Sequence, residues 1–502
     1  MSRKNGGIIG PANTPVGGVL AGVAGGVWRM NDVANFVSNN QWPKGPENID
    51  NSLRFDDDSS DYLNITPSSA GNRQTCTFSA WIKRSDIVNA NIVGCHSADN
   101  DNDTINIIVR SNGELRVVAN SVNWRVLSRL FRDVSAWYHI VVAFDTTQST
   151  ANDRIKVYIN GTQETSFSTT NNPDQNANIG FNQASTTRIG VQANSLSNYF
   201  DGYMAEVVFI DGLQLDPTSF GEFDTTTGIW KPKKIGKVGT VGANTFYLNF
   251  KDSSNVGKDL SGKNNNFTVN NLTSIDQSTD TCVENFATMN PIAAQAGSSV
   301  SSSVITFTEG NLVVDAISSE TAIANFGVDT GKWYWEVKVL TDQDGLAIGA
   351  ANQHFHLDAE LGYNSPSSPS DAKVFGYYGG NGNKFTTIGD GSQLSSYGDA
   401  IAVNDIIGVA LNLDDDEVIF YKNGTAQNSG TAISLTALGS GEQYFPAVGN
   451  WSGSAVKLSF NFGSPQFSIS SGNADANGHG NFEYSVPSGY FALNTSNLNT
   501  YG

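Results

Sequence analysis

Asn404–Gly424 reads NDIIGVALNLDDDEVIFYKNG: an apolar run from Ile406 to Leu411, an acidic connection, a second run from Glu417 to Tyr421, and a closing Asn423-Gly424. Trp137–Gly161, WYHIVVAFDTTQSTANDRIKVYING, repeats the pattern, with Ile140 to Phe144, a polar connection, Arg154 to Tyr158 and a closing Asn160-Gly161. Alternation with period two in β-branched and aromatic residues marks strands with one buried face. Asn-Gly supplies the positive φ values that a two-residue hairpin turn demands. The same hairpin occurs twice, about a domain apart, which predicts two related β-sandwiches in series.

Composition agrees. Hydrophobic residues make up 39% of the 502 residues, enough for sizeable cores, and the 51 glycines suit a chain rich in turns. With 29 basic against 48 acidic residues, the net charge of −19 offers no basic stripe to a phosphate backbone. Nucleic acid is therefore not expected as a partner, nor is an anionic membrane surface. The three cysteines, Cys76, Cys95 and Cys282, are odd in number and lack CxxC spacing. Buried free thiols are expected in preference to a Cys76–Cys95 bridge or a zinc site.

Outward from the hairpins, alternating segments predict strands at Leu53–Phe55, paired with Tyr62–Ile65, and at Thr77–Arg84, where Phe78, Ala80 and Ile82 share a face. More follow at Ile105–Arg110, Leu115–Ala119, Trp124–Leu127, Thr187–Val191 and Phe200–Asp211, before a short helix from Asp216. At the N-terminus, glycines interrupt the apolar stretch from Pro15 to Val27, so a flexible arm is expected there rather than a signal peptide. One short helix is expected between Trp28 and Trp42. No run approaches the ~20 apolar residues of a membrane span.

The segments FSAWIKR, WYHIVVAFD, VYINGT and FDGYMAEVVFID resemble the laminin G-like, concanavalin A-type jelly roll, in order from about Ser52 to Asp224. That family often binds glycans, and some members use calcium. The acidic runs Asp56-Asp57-Asp58 and Asp99–Asp103 read as solvated turn residues, at a strand end and in a polar loop, with Asp101 and Asp103 kept as metal candidates. Gly331–Val339, GKWYWEVKV, resembles the SPRY segment in which a Gly-Lys turn enters an aromatic strand. Leu346–Ala350, Val374–Tyr377, the Asn404–Gly424 hairpin, Tyr444–Val448 and Phe460–Gly463 continue that likeness. SPRY modules bind partners through loops at one end.

These resemblances imply an all-β chain of two jelly-roll-type β-sandwiches: an arm at 1–50, the laminin G-like sandwich at 51–230, a connector at 231–300, the SPRY-like sandwich at 301–465 and an extension at 466–502. The extension is expected to be either a small β element or a strap returning to the second sandwich. The connector, with Lys258-Asp259-Leu260-Ser261-Gly262 and DTCVENFATMNP from Asp280, resembles one found between such domains in virion proteins of tailed, cyanophage-like bacteriophages.

Catalytic patterns were sought and not found. No E-x-D-x-E run aligns carboxylates on a strand face, and no G-x-S-x-G occurs. Glu206 and Asp211, five apart, fall on opposite faces of an unbulged strand. His354 and His356, two apart, could share a strand face as metal ligands, beside the bland reading of a polar loop. Aromatic residues in Gly- and Asn-rich segments, Tyr377, Tyr378, Tyr397 and Trp451, with Trp124 in the first sandwich, are candidates for stacking on sugars or for capping a sandwich end.

The expectation is a non-enzymatic virion protein of the tail-fibre or tailspike class, located on the particle. It would dock through the arm, with Trp28 and Trp42 as anchors, and bind host surface polysaccharide as a homo-oligomer, a trimer by analogy with fibres. No cofactor is required, calcium entering only through the family. The alternatives are a head-decoration or baseplate component that binds only virion proteins, and a secreted glycan-active enzyme or lectin.

Overall fold

A computed structural model describes residues 49–97, 100–235, 241–296, 305–317, 320–341, 345–355, 361, 372–386, 394–436, 441–450 and 455–502. It is nearly all β, in two sandwiches. In the first, one sheet runs Thr162–Gln163, Ile155–Ile159, Trp137–Asp145, Thr75–Arg84, Gly202–Asp211, Ser52–Phe55 and Gln277–Ser278, with Phe246–Leu248 also pairing Gly202–Asp211. The opposing sheet runs Phe167–Thr170, Val122–Leu130, Glu114–Ala119, Asn100–Val109, Ala90–Ser97, Thr186–Ile189, Tyr62–Ile65 and Thr268–Asn270.

Both Asn-Gly turns adopt the expected conformation. Asn160 and Gly161 have φ of 47° and 78°, and Asn423 and Gly424 have 49° and 77°. Each pair links its long hairpin to a two-residue strand, Thr162–Gln163 or Thr425–Ala426. Two positive φ values in succession match the right-handed strand twist, and Asn tolerates them best after glycine.

Alternation places Phe78, Ala80 and Ile82 in the first core, while Trp81 faces outward against Ile49, Ala205 and Trp230. Two expectations change. Ser52–Phe55 and Tyr62–Ile65 are not a pair but enter opposite sheets. The sandwich also does not end at residue 230: Phe246, Leu248, Phe250, Val256, Phe267 and Leu272, assigned to the connector, lie in its core. Cys76 and Cys95 are buried free thiols.

Gly202–Asp211 carries a bulge between Ala205 and Val208, with Glu206 at φ 49°. The bulge shifts the alternation, so that Met204, Val207 and Phe209 all reach the core. The premise of an unbulged strand therefore fails for Glu206 and Asp211. Glu206 accepts a hydrogen bond from the Tyr247 hydroxyl at 2.5 Å, and Asp211 accepts from the Asn72 backbone at 2.8 Å.

In the second sandwich, one sheet orders Thr306–Thr308, Val313–Ile317, Ala455–Asn461, Lys332–Val339, Ile406–Asn412, Glu417–Lys422 and Thr425–Ala426. The other orders Glu320–Ile323, Tyr444–Asn450, Leu346–Asn352, Val374–Tyr378, Asn383–Phe385 and Ser395–Ser396. The chain beyond residue 465 is a strap on this sandwich. Phe491–Ala492 pairs in parallel with Lys332–Val339, and the short helix Thr495–Tyr501 follows, capped by Asn494. Buried Glu336 holds the strap, accepting from the Glu483 and Tyr484 backbone N–H groups at 2.9 and 2.8 Å and from Asn461 at 3.1 Å.

Candidate functional site

Two of the aromatic candidates of the second sandwich, Tyr377 and Tyr397, belong to its core. Tyr377 is fully buried on Val374–Tyr378, and its ring centroid lies 5.4 Å from that of Phe420 and 5.8 Å, edge to face, from that of Tyr397. Its hydroxyl donates to the Asp399 carbonyl, and Gln427 Oε1 accepts from the Asp399 N–H at 2.9 Å. Burial raises the Tyr377 phenol well above its usual range. Tyr397 is 5% exposed and its hydroxyl accepts from the Phe420 N–H at 3.2 Å; Tyr378 is 8% exposed. A sugar stacks on a free ring face, and the rings of Tyr377 and Tyr397 pack against each other and Phe420. Tyr377 and Tyr397 thus fill the sandwich end. Trp124 is half-buried against the first core.

Of the metal candidates, His354 alone has its side chain among the described residues. His354 lies 3.7 Å from Glu442, beside Gln353, which donates to Glu442 at 3.1 Å. Asp101 and Asp103 belong by backbone to the strand Asn100–Val109 rather than to a loop; their side chains lie outside the described set. Trp28, Trp42, His356 and Trp451 also lie outside the described residues.

Two polar clusters were not anticipated. The first is a seam between the sandwiches. Lys83, on Thr75–Arg84, donates to Asp280 Oδ2 at 2.8 Å and Asn285 Oδ1 at 2.7 Å, with both charged side chains 1% exposed. Trp137 Nε1 donates to the other Asp280 oxygen at 3.1 Å, and Lys83 Nζ lies 5.4 Å from the Tyr203 ring centroid. Arg54, also buried, reaches Asp276 at 3.1 Å and Glu309 at 3.2 Å. The Tyr203 hydroxyl donates to the Gly310 carbonyl at 2.9 Å. A Cβ at Gly310 would sit 2.3 Å from that hydroxyl, so this approach requires glycine. Burying such charges is costly unless each is paired and hydrogen-bonded, and at this seam Lys83 and Asp280 are.

The second cluster is a carboxylate rim at the end of the same sheet. Phe55 pairs with Gly202, so the residues flanking that rung, Asp56 and Asp201, meet where the ladder ends. With Asp57 they offer carboxylate oxygens all within 4.8 Å of one another. Ser59 donates to Asp56 Oδ2 at 3.0 Å, and the Asp56 N–H donates to Asp61 Oδ2 at 3.0 Å. Asp56 Oδ1, Asp61 Oδ1 and Asp201 Oδ1 are buried without a hydrogen-bond partner. Burial, reinforced by neighbouring carboxylates, raises Asp57 to about 6 and Asp61 to about 7, and raises Asp201 well above the usual carboxylate range. The sequence showed the acidic run, but Asp201, 140 or more residues away in chain order, joins it only through strand register.

One further buried titratable group is structural. Burial lowers His139 to about 3, keeping the ring neutral. Its Nδ1 accepts from Trp230 Nε1 at 3.0 Å, which leaves Nε2–H to face the Ser79 hydroxyl at 2.9 Å.

Comparison with known proteins agrees with these sandwiches. Residues 57–213 match the concanavalin A-like lectin/glucanases superfamily family Laminin_G_3, and residues 332–465 match the SPRY domain. The chain therefore contains a laminin G-like domain followed by a SPRY domain. Among curated proteins it is similar to the ATP-dependent RNA helicase Ddx1 of Drosophila melanogaster, 35% identical over 143 residues, covering 28% of this chain and 17% of that one. It is also similar to Ran-binding protein 9 of Xenopus laevis, 32% identical over 96 residues, covering 19% and 16%. The matches thus span under a fifth of either relative. Similar solved structures include the SPRY domain of human HERC1, with 16% identity, TM-score 0.25, and coverage of 34% of this chain and 96% of that one. Another is the SAP-like pentraxin of Limulus polyphemus, with 17% identity, TM-score 0.26, and coverage of 34% and 79%.

Proposed function

We propose that this chain is a non-enzymatic structural protein of a tailed-phage virion, of the tail-fibre or tailspike class, whose sandwiches bind host surface glycan. The observation that carries the proposal is the tandem itself: a laminin G-like and a SPRY sandwich, both of families known for binding, joined through a buried polar seam. The likeness of the connector to those of phage virion proteins supplies the setting. The N-terminal arm docks the chain to the particle, and several copies on one particle turn weak sites into firm attachment.

A second reading, a head-decoration or baseplate component that binds only virion proteins, draws support from the aromatic cluster. Tyr377 and Tyr397 are spent in the core, which leaves the SPRY sandwich more suited to a protein partner than to a sugar. The name of its relative Ran-binding protein 9 points the same way.

The test is binding of the full chain to candidate host cells and their extracted surface polysaccharide, with release of reducing ends followed in the same samples. Saturable binding without release is the expected result. Release overturns the non-enzymatic reading. Absence of both across a broad host panel moves the assignment to the particle-scaffold reading.

A further inference from the structure

We propose that the Lys83 side chain condenses with Asn285 into an intramolecular isopeptide bond, with Asp280 as the proton carrier, tying the connector covalently to the laminin G-like sandwich. The reacting groups are already in contact. Lys83 Nζ stands 2.7 Å from Asn285 Oδ1 and 2.8 Å from Asp280 Oδ2. A carbonyl bond of about 1.23 Å then keeps Asn285 Cγ within about 3.9 Å of the amine, close to a near-attack separation. Asn285 Nδ2 donates to the Ser135 carbonyl at 2.8 Å, which fixes the carboxamide with its oxygen toward Lys83. Trp137 Nε1 holds the second Asp280 oxygen at 3.1 Å. The Lys83 and Asp280 side chains are each 1% exposed, and the rings of Trp137 and Tyr203, 6.3 Å apart, border the site. Lys332–Asp415 shows the ordinary case: its side chains are 33% and 62% exposed, and neighbouring Asn412 turns Nδ2 to the carboxylate and Oδ1 to the Asp415 N–H.

Exclusion of water favours neutral partners over an ion pair, and burial raises Asp280 above the usual carboxylate range. Asp280 Oδ2 takes one proton from the Lys83 ammonium, which frees the Nζ lone pair. That pair attacks Asn285 Cγ, forming the C–N bond and a tetrahedral centre. The Asp280 acid gives its proton to Nδ2, the bond from Cγ to Nδ2 breaks, and ammonia leaves. Asp280 recovers a proton from Nζ and ends as the neutral acid. An amine and a primary amide thus become a secondary amide and ammonia, and no oxidant or other reagent is needed. Asn285 is half-buried, so ammonia has a way to solvent. The bond closes a stretch of 202 residues, and closing so long a loop restricts the unfolded chain strongly.

The full chain would be denatured for intact mass spectrometry, then digested with trypsin and its peptides sequenced. A mass short of the sequence by one ammonia is expected, with a branched peptide joining Lys83 to Asn285 and no cleavage after Lys83. Asn285→Ala has no leaving group and Asp280→Asn cannot carry the proton. Each should keep the full sequence mass and melt at a lower Tm than the parent. Lys332 should be cleaved in every sample. A parent chain of full sequence mass after prolonged incubation at neutral pH overturns the proposal. So does loss of ammonia without the branch, as from succinimide closure at Asn160-Gly161 or Asn423-Gly424. A Lys83–Asn285 branch in Asp280→Asn overturns the role given to Asp280. The parent alone decides whether the bond exists, so the test does not depend on the variants folding.

Discussion

Lys83–Asp280 and Asp56–Asp57–Asp201 lie on or beside the same sheet, and both bury charge, but only in the first is the carboxylate held by a direct ion pair. At the seam each Asp280 oxygen takes a donor and the Lys83 ammonium meets two side-chain acceptors. At the rim, Oδ1 of Asp56 and of Asp201 take none. The comparison separates a cluster whose charges are paired from one whose carboxylates crowd one another. Side-chain type does not distinguish them, since both are built around aspartates.

The largest effect should come from breaking the completed cluster. Lys83→Ala leaves Asp280 buried and unpaired, and a loss of about 3–5 kcal/mol is expected from urea unfolding. Lys83→Ala with Asp280→Ala should recover part of that loss in a double-mutant cycle. If the single variant costs no more than a surface substitution, the seam does not hold Asp280 out of water as its burial implies.

A smaller effect, made of two contributions of opposite sign, comes from pH. The folded chain refuses a proton at His139 until about pH 3. That contribution is therefore full above the ordinary histidine value of about 6.5 and fades as pH falls below it. Asp57 and Asp61 work in reverse. Their folded values, about 6 and about 7, are raised, so the chain loses the stability they contribute as pH rises through that window. Asp57 is partly solvated, which limits its share of the loss. With the His139 contribution complete above about pH 6.5, urea midpoints should fall from about pH 6.5 to about pH 8. A midpoint that does not fall over that range would count against the raised values at Asp57 and Asp61.

Much of the fold was legible because its long strands alternate strongly and its two hairpins share Asn-Gly turns. The short strands were not. Thr268–Asn270 and Gln277–Ser278 are too brief and polar to show a period, so the first sandwich runs well past residue 230 without a signal in the sequence. The sites were hidden for a related reason. Arg54 and Lys83 alternate outward, as a solvated face would, and only the connector covering them turns that face into an interior. Asp201 sits in FDG, an unremarkable strand entry, until register sets it beside Asp56. The YYGGNG stretch misleads in the other direction: its turn begins after Tyr378, so Tyr377 is the penultimate residue of a buried strand rather than part of a loop.

Tyr377 supplies the smallest effect and the one that separates ring chemistry from packing. Tyr377→Ala would open a core cavity and cost about 3–5 kcal/mol, so lost glycan binding in that variant would report damage to the sandwich end as readily as lost stacking. Tyr377→Phe keeps the ring against Phe420 and Tyr397 and removes only the hydroxyl. The Asp399 carbonyl then loses that donor, while the Asp399 N–H keeps Gln427. The expected cost is about 1 kcal/mol, with binding to polysaccharide or to particle proteins unchanged. A Tyr377→Phe chain that unfolds as the parent does but fails to bind would place the hydroxyl at a recognition surface, and with it reverse the assignment of this cluster to the core.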